Sequence, residues 1–191
     1  MWAQGLIAAA LMLAVSACST TGASERTTNR STDTSRSAFV NSSAGTLDLA
    51  QLDDLLVTEL QTFRTTQGMP TLSRNSQLDA AAQDLADIMA RKNDLSHSAD
   101  GQRTGDRIED AGYDVCTQGS PWAENIARSS QFGTTADLAD TIMTGWANSS
   151  GHRKNMVAAF ADVGLAVAET SDGSRVYAAQ VFATPGPGKC L

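Results

Sequence analysis

Two strand-like segments near the end of the chain constrain its fold more than any other feature of the sequence. Residues 163–168 and 175–182 are rich in Val, Ala and aromatic side chains, and the short stretch between them contains Asp172 and Gly173. An Asp-Gly pair between two apolar runs is a strong signal for a β-hairpin. The sequence therefore predicts two antiparallel strands that any fold of this chain has to bury.

Helical spacing dominates the chain before these strands. Apolar residues recur every three or four positions from Leu49 to Phe63 and from Leu78 to Met89, and a further helix is predicted to begin at Thr134 or Thr135. Ser76 is the predicted N-cap of the second helix, which is expected to run to about Asn93.

Shorter elements complete this pattern. A helix is predicted over 104–111, closed by Gly112, and residues 113–116 are predicted to be extended. Helices followed by a terminal antiparallel hairpin indicate an α+β fold, with helices packed on a small sheet.

The first 46 residues carry an apolar leader and a polar tether. Residues 5–15 form an apolar run that is too short for a transmembrane helix, which needs about 20 residues. The run matches the core of a secretory signal, and the small residues before Cys18 resemble a bacterial lipobox. We therefore predict a lipoprotein signal peptide over 1–17 and lipidation of Cys18. An ordinary signal peptide cut near Ala17 is the alternative.

Residues 18–46 are rich in Ser, Thr, Asn, Gly and Arg and bury too little apolar surface to fold, so they are predicted to be a flexible tether. The globular domain is predicted over 47–191. The chain has a net charge of −7, which argues against nucleic acid as a partner. Ser19 follows Cys18 where Asp would, by resemblance to Gram-negative sorting rules, favour the inner membrane. We expect a lipid-anchored envelope protein of the outer membrane.

The remaining cysteines form an even pair. Without Cys18, the chain holds Cys116 and Cys190, in a protein predicted to enter an oxidising compartment. A disulfide between them would stabilise the fold by about 4 kcal/mol in the chain-entropy model. Two free thiols are the alternative. Neither cysteine belongs to a Cys-x-x-Cys motif, so no zinc knuckle or redox site is predicted.

The two histidines of the chain lie in separate polar clusters, with an acidic cluster between them. His97 is flanked by serines, His152 follows a Ser-Gly pair, and Glu124 precedes Asn125. Imidazole exchanges protons near neutral pH, so the clusters predict one assembled polar site. Both histidines are predicted to occupy loops beside helix ends. A structural role for each histidine taken alone is the alternative.

These clusters, in this order, resemble the CAP domain, also called the SCP or pathogenesis-related-1-like domain, in its bacterial form. The matching motifs are Leu-Ser-His-Ser, Ala-Glu-Asn-Ile-Ala, Gly-Trp-Ala-Asn-Ser-Ser-Gly-His-Arg-Lys-Asn-Met, Val-Gly-Leu-Ala-Val-Ala and Tyr-Ala-Ala-Gln-Val-Phe-Ala. The resemblance covers about residues 52–184. It implies a three-layer α-β-α sandwich with a small, mainly antiparallel sheet.

Members of this family gather two histidines and two acidic residues in a central cavity, and some bind a divalent metal there. By resemblance, His97, Glu124 and His152 take three of these positions. The fourth departs from the pattern, because Ser149 stands three residues after Trp146, where many animal and plant members have Glu. The lost acid weakens the expected affinity for a metal such as zinc.

Two imidazoles and a carboxylate can form an open zinc-type site, or a metal-free hydrogen-bonded plug. The missing acid favours the plug with weak metal affinity. Asn125 and Asn155 are interpreted as structural neighbours of the site. Trp146 is assigned to the core, and Trp122, placed in a loop, is a candidate wall of a groove.

Three functions remain open from the sequence. The first is a binding module for a small apolar ligand or a cell-envelope component, because several CAP proteins bind sterols or other lipids. The second is a metal-assisted hydrolase that uses His97, Glu124 and His152, although no Gly-x-Ser-x-Gly nucleophile motif accompanies them. The third is a structural envelope lipoprotein with a vestigial site. The sequence favours a non-enzymatic role and assigns no catalytic residue.

Overall fold

Five helices and four strands follow one another in the described part of this computed structural model, residues 47–114, 122–131 and 133–186. In chain order they are α1 (Leu49–Thr66), β1 (Ser73–Arg74), α2 (Ser76–Lys92), α3 (Thr104–Asp110), β2 (Trp122–Ser130), α4 (Thr135–Asn148), α5 (Ser150–Met156), β3 (Asp162–Glu169) and β4 (Arg175–Ala183). The predicted long helices and the terminal hairpin are all present. The α+β fold class is therefore confirmed.

The N-cap of α2 differs from the prediction by one residue. Asn75, not Ser76, caps the helix, because its side-chain oxygen accepts the backbone N–H groups of Gln77 at 2.9 Å and Leu78 at 3.3 Å. Asn75 has extended backbone geometry directly after β1, so it occupies the position that a capping side chain requires. Helix α4 begins as predicted, with Thr134 and Asp137 forming a reciprocal capping box.

The sequence patterns missed two elements that shape the site. Residues 122–130 form strand β2, where a loop had been expected for Trp122, and residues 150–156 form the short helix α5. Of the segment 113–116, which is predicted to be extended, Tyr113 and Asp114 are described, and they belong to no strand of the sheet. Tyr113 is held instead by its hydroxyl, which donates to Asp162 at 2.7 Å.

The four strands form one sheet in the order β1-β3-β4-β2. Strand β1 pairs parallel with β3, and the other two pairings are antiparallel. The hairpin turns where the sequence predicts it, with Gly173 in the left-handed region at φ 68°. Among the described strands, β2 lies at one edge of the sheet and pairs only with β4.

Helices cover both faces of this sheet. One core lies between α2 and α3 on one side and inward-facing sheet residues on the other, among them Ile126, Ala166, Tyr177, Ala179 and Val181. The opposite core joins α1, α4 and α5 to Val163, Leu165, Val167, Ala178 and Phe182. Alternate residues of β3 and β4 thus point into different cores. This confirms the three-layer α-β-α sandwich.

A single glycine sets how closely α2 approaches the sheet. A Cβ atom on Gly164, in β3, would overlap the backbone of Leu78 and Asp79 in α2. The carboxylate of Asp79 then accepts the backbone N–H of Leu165 at 2.9 Å, which ties the helix to the outer edge of β3. Among residues 47–114, 122–131 and 133–186, no helix combines the length and the apolar character that a membrane span requires.

Candidate functional site

His97 lies in the turn that follows α2, as predicted. The helix stops at Asn93, whose backbone is left-handed with φ 51°. Two contacts hold the turn: Lys92 donates to the carbonyl of Ala99 at 2.6 Å, and the guanidinium of Arg107 donates to Asp100 at 2.8 Å. The imidazole is about half exposed, with 54% of the side-chain surface accessible. It can therefore meet solvent and a ligand.

Glu124 projects from edge strand β2 and contacts His97. Its Oε1 lies 2.6 Å from Nδ1 of the imidazole, while only 2% of the carboxylate side chain is exposed. A carboxylate accepts hydrogen bonds, so the proton of this pair sits on Nδ1. The hydrogen bond to Glu124 raises the pKa of His97 above its usual value, and burial only partly opposes it. His97 is thus biased toward the imidazolium form.

His152 reaches the same region from the opposite helical layer. It lies within α5 and not in the predicted loop, because the chain starts a new helix directly after Ser149. Burial lowers the pKa of His152, and the charge of His97 lowers it further. The two imidazoles therefore influence each other, with His152 biased toward the neutral form. In the described residues, the side chain of His152 makes no hydrogen bond to His97 or Glu124.

A buried amide network joins α5 to β2 beneath these side chains. Asn125 donates to the carbonyl of His152 at 3.2 Å and to the side chain of Gln180 at 3.0 Å. Asn155 donates to Asn125 Oδ1 at 2.9 Å and to the carbonyl of Glu124 at 3.4 Å. Because Asn125 and Gln180 are fully buried, these bonds fix where α5 places His152.

Ser149 lies at the junction between helices α4 and α5. It is the C-cap of α4 and the N-cap of α5, with extended backbone geometry. Its carbonyl accepts the N–H of Arg153 at 2.8 Å. Trp146, one turn earlier, is buried as predicted and donates from its indole to the carbonyl of Ile126 at 3.1 Å. The two residues anchor the α4–α5 junction beside β2.

The side chains do not fit a metal site well. Within the described ranges, no three His, Cys, Asp or Glu side chains are grouped in a way that could hold a metal ion. Glu124 offers one buried oxygen, Oε2, that makes no hydrogen bond there, but its other oxygen is committed to His97. Structural and catalytic zinc sites use at least three protein ligands. The geometry supports the hydrogen-bonded pair, and zinc binding stays a prediction.

A cleft of about 470 Å³ opens beside this pair. It is lined by the first residue of β2, the turn of His97 and one side of α3 with its N-cap: Trp122, His97, Ser98, Arg103, Thr104, Gly105, Asp106 and Glu109. Trp122 is 44% exposed, although it is the first residue of a strand and not part of a loop. The cleft therefore combines one aromatic face with polar and charged side chains.

Sequence reasoning missed Arg107 and Gln180 as supports of the site. Arg107 is 2% exposed and pairs with Asp84 at 2.9 Å as well as with Asp100, so it links α2 to the turn of His97. Gln180 lies opposite Asn125 across β2 and β4. A polar residue inside the strand-like run 175–182 was the available signal for Gln180. Arg107 carried no such signal.

Some predictions fall on residues that the structure does not describe. The leader and tether over 1–46 lie outside the described residues, and so does the lipidation site, Cys18. Cys116 and Cys190 also lie outside them. The lipid anchor and the disulfide therefore stay predictions.

Fold and site together define a three-layer sandwich with a His–Glu pair at one edge of its sheet. A model of the CAP family, the cysteine-rich secretory protein family, matches residues 57–182. The match spans more than half of the chain, and the chain belongs to this family. No sequence among curated proteins matches it.

Solved structures show the same fold. An outer surface protein from Borrelia burgdorferi aligns with a TM-score of 0.60 and 15% identity, over 73% of this chain and 97% of that one. An extracellular protein containing an SCP domain, from Bacillus anthracis, aligns with a TM-score of 0.55 and 25% identity, over 71% of this chain and 41% of its own. A cysteine-rich secretory protein from Staphylococcus aureus aligns with a TM-score of 0.51 and 18% identity, over 71% of this chain and 39% of its own. The chain thus spans less than half of the last two proteins.

Proposed function

We propose that this protein is an extracytoplasmic binding module whose cleft beside His97 and Glu124 takes a small molecule or a cell-envelope component. The cleft carries the proposal. It is solvent-facing, its volume of about 470 Å³ falls within the range of about 300–1,000 Å³ that is usual for small-molecule sites, and polar groups converge on one aromatic side chain. We place the module in the cell envelope, held at the outer membrane by acyl chains on Cys18.

Membership of the family and the composition of the leader support this location. The family name describes secreted proteins, and the Bacillus anthracis relative, at 25% identity, is described as extracellular. The apolar run before Cys18 and the polar tether after it suit an acylated protein that projects its domain away from a membrane.

The burial of Glu124 and its hydrogen bond to His97 favour a binding function over metal-assisted hydrolysis. A hydrolytic metal site needs ligands that converge on an open position. Here Glu124 is buried and hydrogen-bonded to His97, and the described residues hold no three-ligand group. His97 also lines the cleft, where an imidazole ring offers a second nitrogen for hydrogen bonding.

Untargeted mass spectrometry of molecules that co-purify with the full-length protein tests the binding function. Wild type, Trp122→Ala and Leu95→Ala are purified side by side from the native envelope. Leu95 is a matched control, because it is a comparably exposed apolar side chain, at 41%, that does not line the cleft. We expect at least one molecule enriched with wild type and Leu95→Ala and depleted with Trp122→Ala. Equal recovery from all three would contradict the proposal and favour a structural lipoprotein.

Cell fractionation tests the anchor separately. The Cys18→Ala protein is expected to leave the membrane fraction and enter the soluble envelope fraction, because it lacks the acylated thiol. A mutant that still partitions with the outer membrane would show that Cys18 is not the anchor, whatever the cleft binds.

A further inference from the structure

The indole ring of Trp122 lines the cleft beside the first turn of α3. Gly105 lies in the first turn of α3, and a Cβ atom there would lie 3.4 Å from three atoms of the Trp122 ring system. That distance is ordinary van der Waals contact, so the backbone of α3 at Gly105 lies close beside the indole. Trp122 as a residue is 44% exposed, which is unusual for a tryptophan beside a packed core.

Polar and charged side chains line the cleft together with this ring. Arg103 donates from Nε and Nη2 to the two carboxylate oxygens of Asp106, at 3.0 Å and 2.8 Å. A guanidinium carries five N–H donors, so about three stay free for a ligand while the pair holds the plane in place. Arg103 is 81% exposed at its side chain. Glu109, Ser98 and the ring of His97 complete the lining.

The residues that line the cleft favour one class of ligand over others. A lipid tail needs a wall free of charged groups, but among the described residues Arg103, Asp106 and Glu109 line the cleft beside Trp122. A polyanion would meet Asp106 and Glu109 on a chain that already carries a net charge of −7. A sugar ring matches both features, because its C–H face packs on an indole while its hydroxyls donate and accept hydrogen bonds at the edge.

We propose that Trp122 and the Arg103–Asp106 pair form a subsite for one pyranose unit of a neutral glycan. This rests on the proposed binding function and names its ligand class: a polysaccharide of the envelope and not a sterol or fatty acid. The indole stacks on the sugar face, and the free N–H groups of Arg103 and the carboxylate of Glu109 bond its hydroxyls. The imidazole of His97 marks the inner end of the subsite.

NMR of the tryptophan indole N–H groups tests this subsite in the full chain carrying Cys18→Ala, so that neither acyl chains nor detergent compete. The probes are tri-N-acetylchitotriose and maltotriose as neutral trisaccharides, and palmitate as the apolar competitor. We expect at least one trisaccharide to shift the Trp122 resonance saturably while buried Trp146 stays unmoved. Palmitate should leave Trp122 unchanged.

Variants separate the subsite from a general loss of fold. Trp122→Ala should weaken saccharide affinity by about tenfold or more, as is usual for a stacked aromatic anchor. Arg103→Gln, at an exposed side chain, should also weaken it, and Leu95→Ala should leave it unchanged. A Trp122 signal that ignores both trisaccharides overturns the glycan inference. If palmitate binds instead, or if a non-saccharide ligand co-purifies, the binding function stands and only the ligand class is wrong.

Discussion

The Nδ1 atom of His97 lies 2.6 Å from Oε1 of Glu124, although 26 residues separate them in sequence and they belong to a turn and to an edge strand. The carboxylate is buried and the imidazole is half exposed. The pair therefore connects the interior of the sandwich to the cleft. The assembly of His97 and Glu124 into one site depends on this contact.

The pair predicts how stability changes with pH. A histidine whose pKa is raised in the folded state stabilises the protein fully below the unfolded value of about 6.5, and this stabilisation is lost as pH rises through the raised pKa. His152 contributes with the opposite sign, since its pKa is lowered on folding. Comparing wild type with Glu124→Gln isolates the first effect.

Urea melts from pH 5 to pH 9 provide this comparison. Wild type should gain stability over Glu124→Gln at low pH, and the difference should shrink as pH rises. We expect a modest difference of about 1 kcal/mol or less, because His97 is half exposed. If the stability advantage of wild type over Glu124→Gln grew as pH rises, the hydrogen bond to Glu124 would not be raising the pKa of His97.

Gly164 should tolerate no side chain. Gly164→Ala places a Cβ atom inside the backbone of α2, so the helix has to move away from the sheet. We expect a loss of about 1–3 kcal/mol or more in the free energy of unfolding. Gly145→Ala is the matched control, because a Cβ there meets nothing within 4 Å in helix α4, and it should be neutral or stabilise by about 0.5–1 kcal/mol. Equal effects at both glycines would contradict the close approach of α2.

Arg107 is expected to position the turn of His97. Arg107→Met removes the bonds to Asp84 and Asp100, and should destabilise the fold by about 1–3 kcal/mol. Amide hydrogen exchange should also become faster over residues 97–102. Arg103→Gln removes an exposed pair at the N-terminal end of α3 and should change neither quantity appreciably. Unchanged exchange in Arg107→Met would remove Arg107 from the support of the site.

The amide network should be sensitive to truncation of Asn155. Asn155→Ala leaves the buried oxygen of Asn125 without its donor, which should cost about 1–3 kcal/mol. Ser130→Ala, at the exposed end of the same strand as Asn125, should stay within about 0.5 kcal/mol of wild type. Chemical denaturation of both variants gives the comparison. If the two losses are equal, the network does not hold α5 in place.

The sequence predicted the parts of the fold that local patterns specify. Helices α1, α2 and α4 have apolar residues at helical spacing, and the Asp172–Gly173 pair marks the hairpin. Strand β2 escaped notice because Glu124 and Asn125 interrupt its apolar pattern. Both are buried by tertiary contacts that a local reading cannot see.

The site could be predicted only in outline. Resemblance to the family pointed to His97, Glu124 and His152, and the structure brings the first two into contact. The resemblance did not predict the helix that carries His152. Helix α5 is only seven residues long, and it starts with Ser-Gly, a pair that is typical of loops. Arg107 supports the turn of His97 through its ion pair with Asp84 in α2, which lies 23 positions earlier in the chain. No spacing rule predicts that pairing.

The most direct test of the assembled site is an NMR titration of the two imidazoles, which are the only ones in the chain. His97 should titrate above the ordinary histidine value and His152 below it, because Glu124 stabilises the first imidazolium and burial disfavours the second. Glu124→Gln should bring the pKa of His97 down toward that of a free histidine. Two histidines that titrate together near 6.5 in wild type, or a His97 pKa that does not respond to Glu124→Gln, would contradict the account.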